Sequence, residues 1–371
     1  MRQLLIISKS AAQETAMNFE YFDPETMESV ITTQQTPFPV INYLGTRKFF
    51  SVISNTAEGY SFYRDSEHCR LTRYISAGNA AEHNGHYFYI NDGESVWSPT
   101  VGPCGSPLDR FECRHGFGFT RFTSKKGHIA SDVLYFVPVS DPCEIRFLTL
   151  TNTDSEPKTI RLFSAVEWSR FDAAEDTAAP ETLADAEIEL IGSVIFNKTG
   201  YSGSRNHYAF CTVNDLADTF DVNRRVFYGP AGNRSCPECT AVGSCFGSTD
   251  PGTFPIAAHE FEITLDPGEA RSFIFLLGCC ENPSDDKWDA PNRLNKICAG
   301  ELIARYRTSE AVEQALSELI RYWRLLLGLT NVDPIENETE EARTIRISKV
   351  WNQYRSIALA NIKAAPEAEK S

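Results

Sequence analysis

The sequence predicts a mainly β protein, with a large antiparallel sandwich followed by a short helical region. From residue 19 to about residue 278, short apolar runs alternate with turn residues at close intervals, and no helical period separates them. Such a series of strands predicts an antiparallel sandwich rather than an α/β fold. After Gly278 the spacing of apolar residues changes to that of α-helices, which predicts the boundary between the two regions.

Residues 32–65 show the strand pattern most clearly. Turn residues at 36–39 precede an apolar run at 40–44, a second run at 49–53 and an aromatic run at 60–63. β-Branched and aromatic residues between short turns favour strands, so we expect adjacent antiparallel strands here. Residues 158–168 predict a further strand by their alternation.

Two pairs of strands are predicted to form hairpins. Residues 133–138 and 144–152 flank the turn sequence Ser140-Asp141-Pro142. Residues 261–265 and 273–277 flank Asp266-Pro267-Gly268-Glu269. Proline presets the backbone angle that a turn needs, and glycine accepts a positive φ, so both segments favour chain reversal.

Three helices are predicted after the sandwich. Residues 293–307 form the first, and residues 309–327 form an amphipathic second helix with Ser309 as its cap and Gly328 at its end. The apolar stripe of the second helix comprises Val312, Leu316, Leu319, Trp323 and Leu326. A last helix is predicted over residues 338–362, with Asn337 and Glu340 spaced as a capping box.

Composition excludes some classes of function. The chain has 371 residues and a formal net charge of −15, whereas a nucleic-acid surface needs a basic stripe to meet phosphates. Aromatic residues make up 12% of the chain and suit either a sandwich core or the stacking of sugars. The N-terminal apolar run is shorter than the roughly 7–15 residues of a signal peptide, and no run approaches the roughly 20 of a membrane span. We expect a cytoplasmic protein without membrane contact.

The 11 cysteines have irregular spacing, and without a secretory signal they do not predict a disulfide framework. Cys236, Cys239 and Cys245 could offer three thiolates to zinc, or they could be ordinary loop cysteines. A structural zinc site needs four ligands, usually as two spaced pairs, and no second pair follows. We therefore expect no metal.

Motifs for phosphate or dinucleotide binding are absent from the sequence, and residues 200–203 miss the spacing of a nucleophile elbow. Glu112, Arg114 and His115 lie close together among glycines. They could bind a sugar hydroxyl, or they could satisfy each other beneath a loop. Two carboxylates could hydrolyse a glycoside, but no constellation singles out a pair.

An ordered set of short motifs nevertheless resembles the N-terminal half of cellobiose phosphorylases of glycoside hydrolase family 94. The set is YFD at 21–23, VITT at 30–33, TP at 36–37, INYLG at 41–45, ISNT at 53–56, GYSFY at 59–63, LTRY at 71–74, VWSP at 96–99, ECRHG at 112–116, YFVP at 135–138, LTNT at 150–153, FSAVE at 163–167, KT at 198–199 and HYAF at 207–210. Each motif is weak alone, but their shared order over residues 19–361 is specific.

The resemblance implies a domain plan. It places a lead-in at residues 1–18 and a galactose-mutarotase-like β-supersandwich at 19–284. A helical linker at 285–336 follows, and then the first helix of a truncated (α/α)6 barrel with a tail at 337–371. In the family the barrel carries catalysis. If Trp351, Tyr354, Ile357 and Leu359 belong to such a barrel, the last helix is expected to be loosely held in this chain.

The family reaction is an inverting phosphorolysis, in which an aspartic acid protonates the glycosidic oxygen while inorganic phosphate attacks the anomeric carbon. The resemblance assigns no catalytic residue to this chain and no cofactor besides the phosphate co-substrate. It implies an oligosaccharide or disaccharide as ligand. It also implies either a homodimer or a separate chain that carries the barrel.

Family members lend a sandwich loop to the partner's active site, and this loop corresponds to residues 172–186. The resemblance thus makes Asp176, Glu181 and Thr182 the candidate substrate-binding residues. Relatives carry Asn-Phe-Gln-Arg-Asn where this chain has AAPET at 178–182, and Arg-Glu-Arg-Arg-Asp where it has SGSRN at 202–206. The arginine that contacts the acceptor sugar is therefore replaced.

Two hypotheses of function follow. The chain is the non-catalytic sandwich and linker of a glycoside phosphorylase, or it is a stand-alone carbohydrate-binding or scaffold protein derived from that domain.

Overall fold

The computed structural model describes residues 19–74, 85–178, 183–203, 205–329 and 338–366. The predicted lead-in at residues 1–18 lies outside these ranges. The strands in chain order are β1 (Glu20–Phe22), β2 (Ser29–Ile31), β3 (Ile41–Leu44), β4 (Phe49–Ser54), β5 (Gly59–Tyr63), β6 (Arg70–Thr72), β7 (His86–Asn91), β8 (Val96–Trp97), β9 (Arg110–Gly116), β10 (Phe119–Lys126), β11 (Ile129–Phe136), β12 (Cys143–Asn152), β13 (Lys158–Phe171), β14 (Ala186–Glu189), β15 (Val194–Asn197), β16 (His207–Val213), β17 (Thr219–Asn223), β18 (Pro255–Leu265), β19 (Ala270–Glu281), β20 (Trp288–Ala290) and β21 (Arg293–Leu294).

The helices are α1 (Glu175–Ala178), α2 (Arg224–Tyr228), α3 (Glu238–Val242), α4 (Ile297–Arg305), α5 (Ser309–Leu326) and α6 (Glu340–Ala364). A 3₁₀ turn spans Leu190–Gly192. Among the described residues, every helix is too short or too polar to cross a lipid bilayer.

Two large antiparallel sheets form the body of the protein, which confirms the predicted fold class. Within the described residues the first sheet has the order β1-β2-β9-β10-β11-β12-β19-β16-β15-β14. The second sheet has the order β17-β18-β13-β6-β5-β4-β3, and its long strand β13 also pairs with β7, which continues to β8. The strands predicted between residues 40 and 63 are confirmed as the meander β3-β4-β5.

One of the two predicted hairpins is confirmed and the other is wrong. Strands β11 and β12 pair directly, as predicted. The turn at residues 266–269 also forms, because the Glu269 N–H donates to the Asp266 carbonyl at 2.9 Å. The strands on either side of it, however, join different sheets: β18 pairs with β13 and β17, and β19 pairs with β12 and β16. Phe261 and Phe273 therefore meet across the core, with ring centroids 5.1 Å apart.

The first sheet is buried on both faces. Along β19, Phe273, Phe275 and Leu277 lie in the core between the two sheets. The intervening Ile274 and Leu276 lie in a second core beneath the helices. Successive side chains of a strand point to opposite faces, so an apolar strand of this kind requires a layer on each side.

A group of polar side chains lies inside the sandwich core. Glu144 and Arg146 are fully buried on β12, with Arg146 Nε 3.8 Å from Glu144 Oε1. Glu144 Oε2 accepts hydrogen bonds from Ser51 at 2.5 Å and Ser61 at 3.3 Å, and His86 Nε2 lies 3.0 Å from Oε1. Burial raises the pKa of Glu144 and lowers the pKa of His86. The guanidinium is therefore the main compensation for this carboxylate.

Substituting Arg146→Met should lower the free energy of unfolding by about 3–5 kcal/mol, because it leaves a buried carboxylate without its cation. The double variant Glu144→Gln/Arg146→Met should lose less than the sum of the two single substitutions. Denaturant unfolding measures both. Arg293→Met is the control: its partner Asp289 and Arg293 itself are both more than half exposed, and the expected change is below about 1 kcal/mol. Additive single effects would contradict the coupling.

Helices α4 and α5 cover the outer face of the first sheet, with corrections to the predicted boundaries. The first predicted helix begins only at Ile297, since Arg293 belongs to β21. The second is capped by Thr308 rather than Ser309, because the Thr308 hydroxyl accepts from the Ala311 N–H at 3.4 Å. Its buried side chains include Val312, Leu319 and Trp323, as predicted, but Leu326 is 43% exposed.

The last helix, α6, is capped by Thr339, whose hydroxyl accepts from the Ala342 N–H at 3.2 Å. Asn337 of the predicted capping box lies outside the described residues. The expectation that the apolar side chains of this helix need a barrel outside the chain is wrong for Trp351 and Tyr354. They are 1% and 0% exposed, and Ile357 packs partly against the same cluster.

Hydrogen bonds and aromatic contacts attach α6 to the sandwich. Trp351 Nε1 donates to the Met27 carbonyl at 2.9 Å. The Tyr354 hydroxyl accepts from the Gly118 N–H at 3.0 Å and lies 2.5 Å from the Tyr43 carbonyl, to which it can donate. The rings of Trp323 and Tyr354 meet edge to face at 4.8 Å. Trp351 and Tyr354 bury their rings while their polar atoms form hydrogen bonds to the sandwich, which makes this a specific interface.

Substituting Trp351→Ala should lower the free energy of unfolding by about 3–5 kcal/mol, because it empties a buried aromatic site. Asn352→Ala, one residue along and exposed, should change it by less than about 0.5 kcal/mol. Denaturant unfolding compares the two variants. In the unsubstituted chain, hydrogen exchange should protect the amides of α6 as strongly as those of β12. Rapid exchange of α6 in a folded sandwich would contradict the attachment.

Candidate functional site

The loop that the resemblance assigned to sugar binding leaves the sandwich at the end of β13. Phe171, the last residue of that strand, is buried and has a positive φ of 69°. A bulky residue rarely adopts this conformation, so the chain turns sharply under strain at the start of the loop. The Ala173 N–H donates to the Glu67 carbonyl at 2.8 Å, and His68 Nδ1 lies 3.3 Å from Asp172 Oδ2. The turn before β6 thus holds the first residues of the loop.

Asp176 lies in α1 and is directed towards the protein. Its Oδ1 accepts from the Arg170 N–H at 2.9 Å, while its Oδ2 is buried without a hydrogen-bond partner among the described residues. Burial raises the pKa of Asp176. The structure therefore places Asp176 as a group that shapes the loop. Glu181 and Thr182, the other two predicted site residues, lie outside the described residues, so the three remain predictions as ligands of a sugar.

A carboxylate surrounded by arginines lies near this loop. Glu167 on β13 is 7% exposed. It accepts from Arg234 Nε at 2.7 Å and from Arg224 Nη1 at 2.8 Å, and Arg73 Nη1 is 3.5 Å away. Burial alone would raise the pKa of Glu167, but the three guanidiniums outweigh it and lower the pKa to about 2. Glu167 is therefore ionised at neutral pH and cannot serve as a general acid.

No local pattern in the sequence predicts this cluster. Glu167 and Arg73 belong to motifs that support the family resemblance, but the four residues are distant in sequence, and no local spacing connects them. The only sequence signal was that a glutamate occurs within one apolar strand and that an arginine directly follows another, where an ion needs a partner.

Aromatic side chains lie at the same end of the second sheet. The rings of Tyr60 and Tyr74 are 4.8 Å apart, and the Arg70 guanidinium lies 4.9 Å from the centre of the Tyr60 ring. Both tyrosines are half-buried, and Arg70 and Arg73 both act electrostatically on Asp176. Partly exposed tyrosines beside guanidinium groups can stack against a sugar ring and hydrogen bond to its hydroxyls.

The structure favours a structural role rather than sugar binding for Glu112, Arg114 and His115. Arg114 donates to Glu112 at 2.6 Å, and also to Asp23 and Glu28 at 3.0 Å each. His115 is buried, and its ring nitrogens lie 2.9 Å from the Thr120 hydroxyl and 3.2 Å from the Val40 carbonyl. Burial lowers the pKa of His115 to about 4. These side chains are satisfied by protein groups.

The three cysteines considered for zinc are not brought together. Cys236 is exposed, whereas Cys239, Cys245 and Asp221 are buried, with ligand atoms within 4.8 Å of one another. Asp221 already accepts hydrogen bonds from the Ser248 hydroxyl at 2.5 Å, from two backbone N–H groups and from the Cys239 thiol at 3.2 Å. These groups do not fit a zinc site, since they supply three ligands and the carboxylate is satisfied by protein donors.

Two facing antiparallel sheets with a helical layer define a supersandwich protein. The chain belongs to glycosyl hydrolase family 94: residues 26–308 match the supersandwich domain of that family. This confirms the resemblance predicted from the sequence motifs.

Two curated relatives and one solved structure are similar to the chain. The chain is 29% identical to the N,N'-diacetylchitobiose phosphorylase of Vibrio furnissii, over 83% of this chain and 37% of that enzyme. It is 27% identical to the 3-O-β-D-glucopyranosyl-β-D-glucuronide phosphorylase of Paenibacillus borealis, over 89% of this chain and 40% of the relative. A bacterial glucoamylase in complex with acarbose superimposes with a TM-score of 0.45 at 11% identity, over 79% of this chain and 40% of that one. The chain thus spans well under half the length of these proteins.

The pH dependence of stability in a Glu167→Gln variant tests whether the three arginines hold an ionised carboxylate. The pKa of Glu167 falls from 4.5 to about 2 on folding. Its contribution to the free energy of unfolding is therefore present above pH 4.5 and is lost as the pH falls towards 2. We expect the substitution to cost about 3 kcal/mol at pH 7 and almost nothing near pH 2. Denaturant unfolding at several pH values measures this. Glu262→Gln, a half-exposed carboxylate paired with Arg161, should show little change. A loss that does not depend on pH would contradict the assignment.

Proposed function

We propose that this chain is the non-catalytic supersandwich and linker portion of a disaccharide phosphorylase, and that residues outside it supply the catalytic acid and the phosphate site. The observation that carries the proposal is the family match over residues 26–308, together with relatives that extend well beyond it. The reaction class would be the inverting phosphorolysis of a β-glycoside to a sugar 1-phosphate. Inorganic phosphate is the co-substrate.

The buried carboxylates support the non-catalytic part of the proposal. A general acid needs a proton at neutral pH and access to the glycosidic oxygen. Glu144 is enclosed in the core with Arg146, and Glu167 is held ionised by three arginines. Asp221 accepts hydrogen bonds from two backbone N–H groups of the loop that follows α3. None of these three carboxylates meets both requirements.

A second candidate function is a stand-alone carbohydrate-binding or scaffold protein. The packing of α6 favours it, because Trp351 and Tyr354 are covered by the sandwich of the same chain. The tyrosines and arginines near Asp176 would then be the surface that meets a sugar. Both candidates predict a soluble chain that does not turn over a disaccharide by itself.

Incubation of the purified chain with phosphate and either N,N'-diacetylchitobiose or cellobiose should release no sugar 1-phosphate, because none of the three buried carboxylates Glu144, Glu167 and Asp221 can protonate a glycosidic oxygen. Coupled detection of the sugar phosphate measures this, and steady release would overturn the proposal. Calorimetry with the same disaccharides separates the candidates: binding that Tyr60→Ala weakens and Tyr21→Ala leaves unchanged would favour the stand-alone protein. Activity regained on adding a separately purified catalytic barrel would favour the phosphorylase portion.

A further inference from the structure

A polar cleft opens where the helices meet the end of the first sheet. It lies between the turn of the β11–β12 hairpin at residues 138–141, the end of α4 and one face of α5. Its volume is about 380 Å³, near the lower limit of the roughly 300–1,000 Å³ that small-molecule sites occupy. The described residues that line it include neither the arginine cluster at Glu167 nor the loop at residues 172–186. The cleft is therefore distinct from the candidate site described above.

Hydrogen bonds fix the hairpin turn on one side of the cleft. The Thr46 hydroxyl donates to the Val139 carbonyl at 2.7 Å. Asp141 accepts from Arg305 Nη1, which lies 2.6 Å from each carboxylate oxygen, and from the Tyr306 hydroxyl. Asp141 thus joins the turn to the end of α4. Because this wall is already held in place, a ligand would lose little free energy in ordering it.

The other side of the cleft is a face of α5 with small side chains at its centre. Ala311 and Ala315 are one turn apart, and both line the cleft. Gln314 and Glu318 form the neighbouring row of the helix, and Gln314 Nε2 donates to Glu318 Oε1 at 3.0 Å. The two alanines therefore leave an apolar wall, and the amide and carboxylate form a polar edge beside it. A large side chain at Ala311 would fill the space.

The polar groups around the cleft include both donors and acceptors with further bonding capacity. Arg305 is half-exposed, and the hydrogen bonds of the described residues use only its Nη1. Its Nε–H and Nη2–H groups can therefore donate to a ligand. Glu318 Oε2, the side-chain carbonyl of Gln314 and the Ser140 hydroxyl can accept. An anion would need donors alone and a cation acceptors alone, whereas a sugar hydroxyl both donates and accepts.

We propose that this cleft binds a neutral mono- or disaccharide. The Arg305 guanidinium donates to sugar hydroxyls at one end of the cleft, and Gln314 and Glu318 accept from hydroxyls along α5. Ala311 and Val139 contact the C–H groups of the sugar ring. The volume of the cleft limits the ligand to a small saccharide. The site is separate from the tyrosines near Asp176, so the two surfaces can be tested independently.

Calorimetry on the full chain tests the site, with cellobiose and N,N'-diacetylchitobiose as probes. The double variant Gln314→Ala/Glu318→Ala should weaken binding by about 10-fold or more, because it removes the acceptors along α5. Ala311→Trp should abolish binding, because the indole fills the cleft. Glu313→Ala is the matched control: Glu313 is exposed on the same helix, outside the residues that line the cleft, and the affinity should not change. Circular dichroism checks that each variant is folded.

Hydrogen exchange locates the bound sugar. Either disaccharide should slow exchange of the amides at residues 139–141 and in the first turns of α5, and Tyr60→Ala should leave this protection unchanged. Binding that Tyr60→Ala abolishes and the Gln314→Ala/Glu318→Ala variant retains would place the sugar on the tyrosines. That result would overturn the cleft and leave the proposed function unaffected. No binding of either sugar at millimolar concentration, or binding of spermidine (a polycation that needs acceptors alone) in place of both sugars, would also overturn the proposal.

Discussion

The burial of both faces of the first sheet is the constraint on which the rest of the structure depends. The central strands β12, β19 and β16 carry apolar side chains on alternate faces, so the sheet cannot expose either face to water. The second sheet covers one face, and α4, α5 and α6 cover the other. This requirement explains why α4 and α5, which the sequence predicts to lie in a linker, pack on the first sheet as part of the folded domain. It also explains why α6 uses Trp351 and Tyr354 to reach strand β3 and the turn at Gly118.

Enclosing so much of the sheet also encloses charge, and the protein compensates each buried ion locally. Glu144 is matched by Arg146 inside the core, and Glu167 by three arginines at the edge of the second sheet. Such pairs stabilise little relative to an apolar core, but removing one partner is costly. The same contacts take these two carboxylates out of consideration as catalytic acids, which supports the proposed non-catalytic role of the domain.

Much of the fold was predictable from sequence, since the period of the apolar residues and the chemistry of the turns are local properties. The hairpin β11–β12, the meander β3-β4-β5 and the stripe of Val312, Leu319 and Trp323 were all predicted correctly. The error at β18 and β19 has a physical cause: the turn after Leu265 specifies a reversal of direction, but not whether the returning strand stays in its sheet. Of the candidate site, the position of the loop was predicted, whereas its contacts were not.

The sequence by itself determined the fold class, the approximate element boundaries and membership of family 94, because short-range periodicity and an ordered set of motifs carry that information. Only the tertiary structure decided the partners of side chains distant along the chain. Arg73, Arg224 and Arg234 converge on Glu167, and the Tyr354 hydroxyl of α6 meets the Tyr43 carbonyl of β3. Such meetings depend on how the sheets stack and cross, and no local pattern of residues encodes them.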